Sequence, residues 1–219
     1  MRFFINIIFS FFLLFNYKSL YSQSNELKNE YRQTNKFFKE KNFSKALETN
    51  EKALKLSIKE FGKNHLTTAT LYENKGRLLI ELKNYSKAEK ILREVVEIRN
   101  NLIKDYSPEH AEALNYLAIS LRKQNKLEKA MLEHEKVLKI MGNIIANNPG
   151  QISELSRRSA LYRARAYHTK GKLLIEQGNY SDAAGNFKIA SKIYERTLGK
   201  NKKELEDLMI EINKLKVVK

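Results

Sequence analysis

The sequence predicts an all-α protein, a solenoid of four antiparallel helical hairpins followed by a C-terminal capping helix, and three observations carry that prediction. A five-residue phrase recurs: Asn42-Phe43-Ser44-Lys45-Ala46, Asn84-Tyr85-Ser86-Lys87-Ala88, Lys126-Leu127-Glu128-Lys129-Ala130 and Asn179-Tyr180-Ser181-Asp182-Ala183. Its alanines stand 42, 42 and 53 residues apart, and self-similarity at such a period marks stacked repeats. From Ser24 onward apolar residues recur at three- and four-residue spacing, with no alternating β-branched run to indicate strands. Twelve residues before each alanine stand Thr34, Gly76, Ala118 and Gly171, all small, so that the two helices of a hairpin can approach closely in every copy.

Taken in order, the first hairpin is expected over 26–40 and 44–61, closing at Gly62 in the left-handed conformation. The second runs over 65–82 and 86–104, with Ser86-Lys87-Ala88-Glu89 at capping-box spacing. Ser107-Pro108-Glu109 opens the third with an N-cap, a proline at the first helical position and an acid in the first turn. That hairpin continues to Gln124 and then over 128–147, before Asn148-Pro149-Gly150 stops it. The fourth begins about three turns early, at Gln151, which accounts for the longer last spacing; it covers 151–177 and 181–198 and ends at Gly199. A last helix over 204–215 carries Leu205, Leu208, Met209, Ile212 and Leu215 on one stripe, as required to cover the end of a stack. The repeats are thus expected at about 24–64, 65–106, 107–150 and 151–200, with the capping helix in 201–219.

Lys+Arg number 41 against 25 Asp+Glu, a net charge of +16 that favours a negatively charged partner. With no cysteine, disulfides, a thiol nucleophile, cysteine zinc sites and a lipidated cysteine are excluded. Met1-Arg2 followed by the apolar run Phe3 to Phe15 is too short for a bilayer span of roughly 20 residues. It reads as a secretory signal peptide, residues 1–22, cleaved after Ser22 or Ser24, with a membrane anchor through residues 3–15 as the alternative. The expected location is therefore periplasmic or secreted, and a nucleic-acid partner is not expected.

The small residues, the large residue three places later (Phe37, Leu79, Leu121, Leu174) and the turn residue Phe43, Tyr85, Leu127 or Tyr180 together resemble the tetratricopeptide repeat family over Ser24 to Leu198. The 42-residue period, with Phe61-Gly62-Lys63-Asn64-His65 and Tyr106-Ser107-Pro108-Glu109-His110 between hairpins, is similar to its kinesin-light-chain subtype; neither linker copy is complete. The resemblance implies a right-handed α-solenoid, in bacteria often the sensor or adaptor portion of exported or signalling proteins. It implies that the first helix of each hairpin lines a concave groove, and that His65 and His110 cap or pack the inter-repeat turns.

On that groove the residues left over from packing are Lys28, Tyr31, Asn35 and Phe38 in the first unit, and Thr70, Glu73, Asn74, Arg77 and Glu81 in the second. Glu112, Asn115, Ile119 and Arg122 follow in the third, and Arg165, His168, Lys172 and Glu176 in the fourth. Tyr31, Asn35, Asn74, Arg77, Asn115, Arg122, Arg165, His168 and Lys172 are the expected partner-binding set. They suit an extended acidic or amide-rich protein segment, arginines making charge-assisted bonds to its carboxylates. In the resembling family a groove asparagine holds the peptide backbone, a role that maps onto Asn74 and Asn35; its five-residue clamp for a C-terminal carboxylate is not reproduced, because Glu112 and Tyr116 stand where two bases are needed.

His65, His110, His134 and His168 are the only candidates for a metal or a general base, and no two share a helix turn. No phosphate loop, GxSxG elbow, HExxH or paired carboxylates occur, so neither enzyme activity, cofactor nor metal is expected. The densest basic run, Arg157-Arg158, Arg163, Arg165, Lys170 and Lys172, offers an alternative function as an envelope-surface binder of anionic lipid or polysaccharide. A sensor or adaptor whose output module sits on another chain is the other alternative.

Overall fold

The computed structural model describes residues 24–102, 107–147, 152–198 and 203–217. Among these the backbone forms nine α-helices and no strand: α1 Asn25–Lys39, α2 Phe43–Phe61, α3 Leu66–Glu81, α4 Tyr85–Leu102, α5 Pro108–Lys123, α6 Leu127–Asn147, α7 Ile152–Glu176, α8 Tyr180–Leu198 and α9 Lys203–Val217. Every expected helix is present, its ends displaced by no more than two residues. The proposed leader lies outside the described residues. The helices fall into two compact units, one within Met1–Lys63 and one within Asn64–Lys219.

The first unit is the hairpin α1–α2. Ser24 caps α1, its hydroxyl accepting from the Leu27 N–H at 3.1 Å, and its own N–H donates to Glu60 at 3.2 Å, tying the start of α1 to the end of α2. Thr34 occupies the small-residue position, where its hydroxyl meets that of Thr49 at 3.0 Å in a buried contact. Gly62 ends α2 at φ 86, ψ 170, so the expected left-handed closure is replaced by an extended one at positive φ, a region closed to residues bearing a Cβ.

In the second unit α3–α4, α5–α6 and α7–α8 pair as hairpins and stack, and α9 packs on α8. Close approach occurs where the sequence places its small residues. A Cβ on Gly76 would lie 2.7 Å from Leu92 Cγ, and one on Gly171 would lie 2.3 Å from the Phe187 ring. One core cluster joins Ala111, Leu114, Val137, Met141 and Ile144 with Tyr162 of α7. A second joins Ala164, Phe187, Ala190 and Tyr194 with Leu205 and Leu208 of α9, so the terminal helix covers the apolar end of the last hairpin.

The recurring phrase builds the turn twice over. In each copy the first residue donates its N–H back to the large residue five places earlier: Asn42 to Phe37 (2.9 Å), Asn84 to Leu79 (2.7 Å), Lys126 to Leu121 (2.9 Å) and Asn179 to Leu174 (2.8 Å). The residue between has positive φ: Lys41 at 59, Lys83 at 59, Asn125 at 60 and Gly178 at 75. This is the Schellman closure of a helix, in which the left-handed residue lets two terminal carbonyls be satisfied. A lysine in that conformation costs about 1–2 kcal/mol, which the two recovered bonds at about 1 kcal/mol each offset. The same first residue caps the return helix, Asn42 Oδ1 accepting from Lys45 N and Asn179 Oδ1 from Asp182 N, both at 3.3 Å. The expected Ser86 capping box is not formed: α4 already begins at Tyr85, so Ser86 lies inside its first turn.

Glu89 of α4 ties neighbouring hairpins together, accepting from Lys126 Nζ at 2.7 Å, Gln124 Nε2 at 2.9 Å and Arg93 Nη2 at 2.9 Å. Burial raises its carboxyl, but these donors outweigh burial and hold it at about 2.

Candidate interaction site

The first helices of the three hairpins lie side by side in the second unit, α3 touching α5 and α5 touching α7. Their polar residues are not the free stripe that spacing alone suggests. Glu73, Asn115 and His168 occupy one register position in successive repeats, and all three are buried, at 4%, 0% and 3% exposure. The reason is that an inner helix of a stack has neighbours on both sides, so its buried arc is wider than that of a helix lying on a surface.

Each member of that register has a different answer to burial. Glu73 accepts from Arg99 of α4, which also donates to the Glu109 carbonyl at the start of α5. At the register of Arg99 the next repeats carry Met141 and Tyr194. Asn115 accordingly has no hydrogen-bond partner on either polar atom. His168 stands edge-on to Tyr194, ring centroids 6.4 Å apart, and to Phe187 at 5.7 Å.

The remaining polar groups link one helix to the next. The Arg77 guanidinium of α3 lies 4.9 Å from the centre of the Tyr116 ring of α5, a cation–π distance. Arg122 Nη1 of α5 is 3.3 Å from both ring nitrogens of His168 on α7. His168 Nε2 in turn is 2.8 Å from Glu211 Oε2 of α9, and Lys172 Nζ is 3.9 Å from Glu211 Oε1. Asn74 Nδ2 and Arg122 Nε are buried donors without a hydrogen-bond partner.

Burial sets the charge states. It pushes the His168 ring down to about 4, with Glu211 opposing and Arg122 and Lys172 assisting. The ring is therefore neutral at pH 7 and donates its Nε2–H to Glu211. His134 of α6 is pushed down to about 3 by complete burial and by Arg122 and Arg165; its Nε2 meets the Thr169 hydroxyl at 3.0 Å. Burial pushes the Glu73 carboxyl up to about 7 while Arg99 beside it pulls the other way. Of the other histidines, His65 caps α3 with its own ring, Nδ1 accepting from Thr67 N at 3.1 Å, and His110 lies half-buried in the first turn of α5.

Of the expected binding set, the structure brings Asn74, Arg77, Asn115, Arg122, Arg165, His168 and Lys172 together on α3, α5 and α7. Asn115 and His168 are sealed from water; the other five are half-buried. Tyr31, 39% exposed, and the half-buried Asn35 lie on α1 in the first unit. Of the basic run on α7, Arg157, Arg163 and Lys170 are exposed, whereas Lys172 faces Glu211. Sequence reasoning missed Arg99 and Glu211. Arg99 had a signal, being the one charge at a register otherwise held by Met141 and Tyr194; Glu211 had none among the acids of the last helix. No group of three or more acidic or histidine ligands suited to a metal occurs among the described residues. Among them, too, no helix is long and apolar enough to cross a membrane.

Stacked helical hairpins that meet at small residues, close by Schellman turns and align their first helices in a polar row define an α-solenoid repeat protein. The chain belongs to the tetratricopeptide repeat family, whose profiles match residues 37–101, 79–143 and 163–201. Similar folds occur in a kinesin light chain with nearly identical TPR-like repeats from Podosopora anserina (TM-score 0.58, 16% identity, 86% of this chain and 84% of that one). BtubC (BKLC) from P. vanneervenii is similar too (TM-score 0.59, 21% identity, 77% of this chain and 63% of that one). The Hsp70-Hsp90 organising protein of Plasmodium falciparum (isolate 3D7) is 28% identical over 169 residues, which are 76% of this chain and 28% of that protein. The chain thus spans little more than a quarter of the length of that curated relative.

Proposed function

We propose that the protein is a non-enzymatic interaction scaffold whose second unit holds an extended acidic or amide-rich protein segment along α3, α5 and α7. One observation carries this reading: Arg77, Arg122, Arg165 and Lys172 set four half-buried bases on three adjoining helices. Bases that have lost part of their water bind a carboxylate more strongly than fully solvated ones. The unpaired donors Asn74 Nδ2 and Arg122 Nε add a demand for acceptors in the same row. Family membership supports the class of function, as does the relative named as an organiser of two other proteins.

Three helices at ~10 Å spacing are crossed by about ten extended residues. A Glu/Asn-rich peptide of that length should therefore bind at low salt, with affinity falling steeply as salt rises. The triple replacement Arg77→Glu, Arg122→Glu, Lys172→Glu should abolish that binding while the helical circular dichroism is kept. Unchanged affinity in a folded triple variant would sink the reading. Export is part of the proposal, motivated by the charged start and apolar run at 1–15. It is checked by the mass of the protein recovered from its cells: a chain beginning at Gln23 or Asn25 supports it, and one retaining residues 1–22 does not.

A further inference from the structure

Glu211 is the carboxylate that the row already holds, and it comes from the last helix. Its two oxygens engage His168 at 2.8 Å and Lys172 at 3.9 Å, and the Arg122 guanidinium stands 3.3 Å behind the His168 ring. Burial raises the Glu211 carboxyl, but His168, Lys172 and Arg122 outweigh burial and hold it below the usual carboxylate range. The position is thus an anion site built from α5 and α7 and filled from within the chain.

The helix that fills it is lightly held. α9 spans 15 residues and packs on α8 and on Ala164 of α7 through Leu205 and Leu208, with Ile212 partly covered, while Met209 and Ile210 are 43% and 55% exposed. A helix of that length is marginal by itself, so it persists only as long as its docking does. Every hairpin helix of the second unit between α4 and α7 has a neighbouring hairpin on one side and its own partner on the other, whereas α9, among the described residues, packs mainly on α8 and reaches α7 through Glu211 and the edge of the Leu205 and Leu208 cluster.

We propose that α9 is a displaceable plug: Glu211 occupies the place on Arg122, His168 and Lys172 that a carboxylate of the bound acidic segment takes when the helix lifts away. This rests on the reading of α3, α5 and α7 as an acidic-segment site. The ligand and α9 then compete, and the apparent affinity falls by the fraction of molecules in which the plug is out.

The test uses the full chain, the Glu/Asn-rich peptide as probe, and the variants Glu211→Gln and Glu206→Gln, the second removing an exposed charge from the same helix. Glu211→Gln should bind the peptide about tenfold more tightly than wild type, as expected when the plugged state holds about nine molecules in ten, and Glu206→Gln should match wild type. In the wild-type protein, bound peptide should speed amide hydrogen exchange at 203–217. Equal affinity of Glu211→Gln and wild type, or α9 protection unchanged under saturating peptide, overturns the plug and leaves the acidic-segment reading standing. A peptide that binds none of the three proteins overturns both.

Discussion

Arg99 of α4 donates both to the carboxylate of Glu73 in α3 and to the carbonyl oxygen of Glu109 at the start of α5, with the two charged side chains only 4% and 6% exposed. One guanidinium thus fastens the second hairpin to the third. Breaking such a buried pair costs about 3–5 kcal/mol, here because the Glu73 carboxyl, which burial already pushes up to about 7, loses the donor that holds it. Arg99→Met is expected to lose stability of that order in urea unfolding. The double variant Glu73→Asn, Arg99→Met installs the residues found one repeat on, Asn115 and Met141, and leaves no charge behind. It should be clearly more stable than Arg99→Met alone; equal losses would show that the pair does not act as a unit.

Gly171 faces the Phe187 ring at a distance no Cβ can share. Gly171→Ala gains about 1 kcal/mol of helix propensity but forces a buried aromatic ring aside, at about 1–3 kcal/mol. The sum is expected to be a net loss, recovered in part by adding Phe187→His, which installs the pairing of Ala118 with His134 found one repeat earlier. Thermal melts of the single and double variants decide it. A Gly171→Ala protein as stable as wild type would mean that the ring moves freely.

His134 sits at the core register of Leu92 and Phe187, fully buried, with Nδ1 unpartnered. Its folded pKa of about 3 lies below the ordinary histidine value of 6.5, so the unfolded chain takes up a proton before the folded one does. Stability is therefore complete above pH 6.5 and is lost as pH falls towards 3; His168, at about 4, acts in the same direction down to pH 4. Each such group can remove up to ~1.4 kcal/mol per pH unit. His134→Leu should flatten the fall in stability between pH 6.5 and 4 without unfolding the protein at pH 7, since the Thr169 hydroxyl keeps its bond to the Arg165 carbonyl. An unchanged pH slope would contradict this.

The hairpins were legible because their causes are local: periodic apolar residues, glycine and proline at helix ends, and a turn phrase repeated four times. The small residues at 34, 76, 118 and 171 were legible because repetition exposes them. Burial of Glu73, Asn115 and His168 was not, since a residue's place relative to its own helix does not say how far the neighbouring helices wrap it. Lys41 and Lys83 give no sign of a left-handed backbone, which is imposed by the Schellman bonds around them. Glu211 depends on the angle at which the last helix docks, a property of packing between distant segments.

Nuclear magnetic resonance of the row itself tests the scaffold reading most directly. On titration with the Glu/Asn-rich peptide, the Arg77 and Arg122 Nε–H signals and the Asn74 side-chain amide should shift together and saturate at one affinity, the arginine signals moving as for carboxylate contact. Shifts confined to α4, α6 and α8, with those three side chains unmoved at saturation, would contradict it.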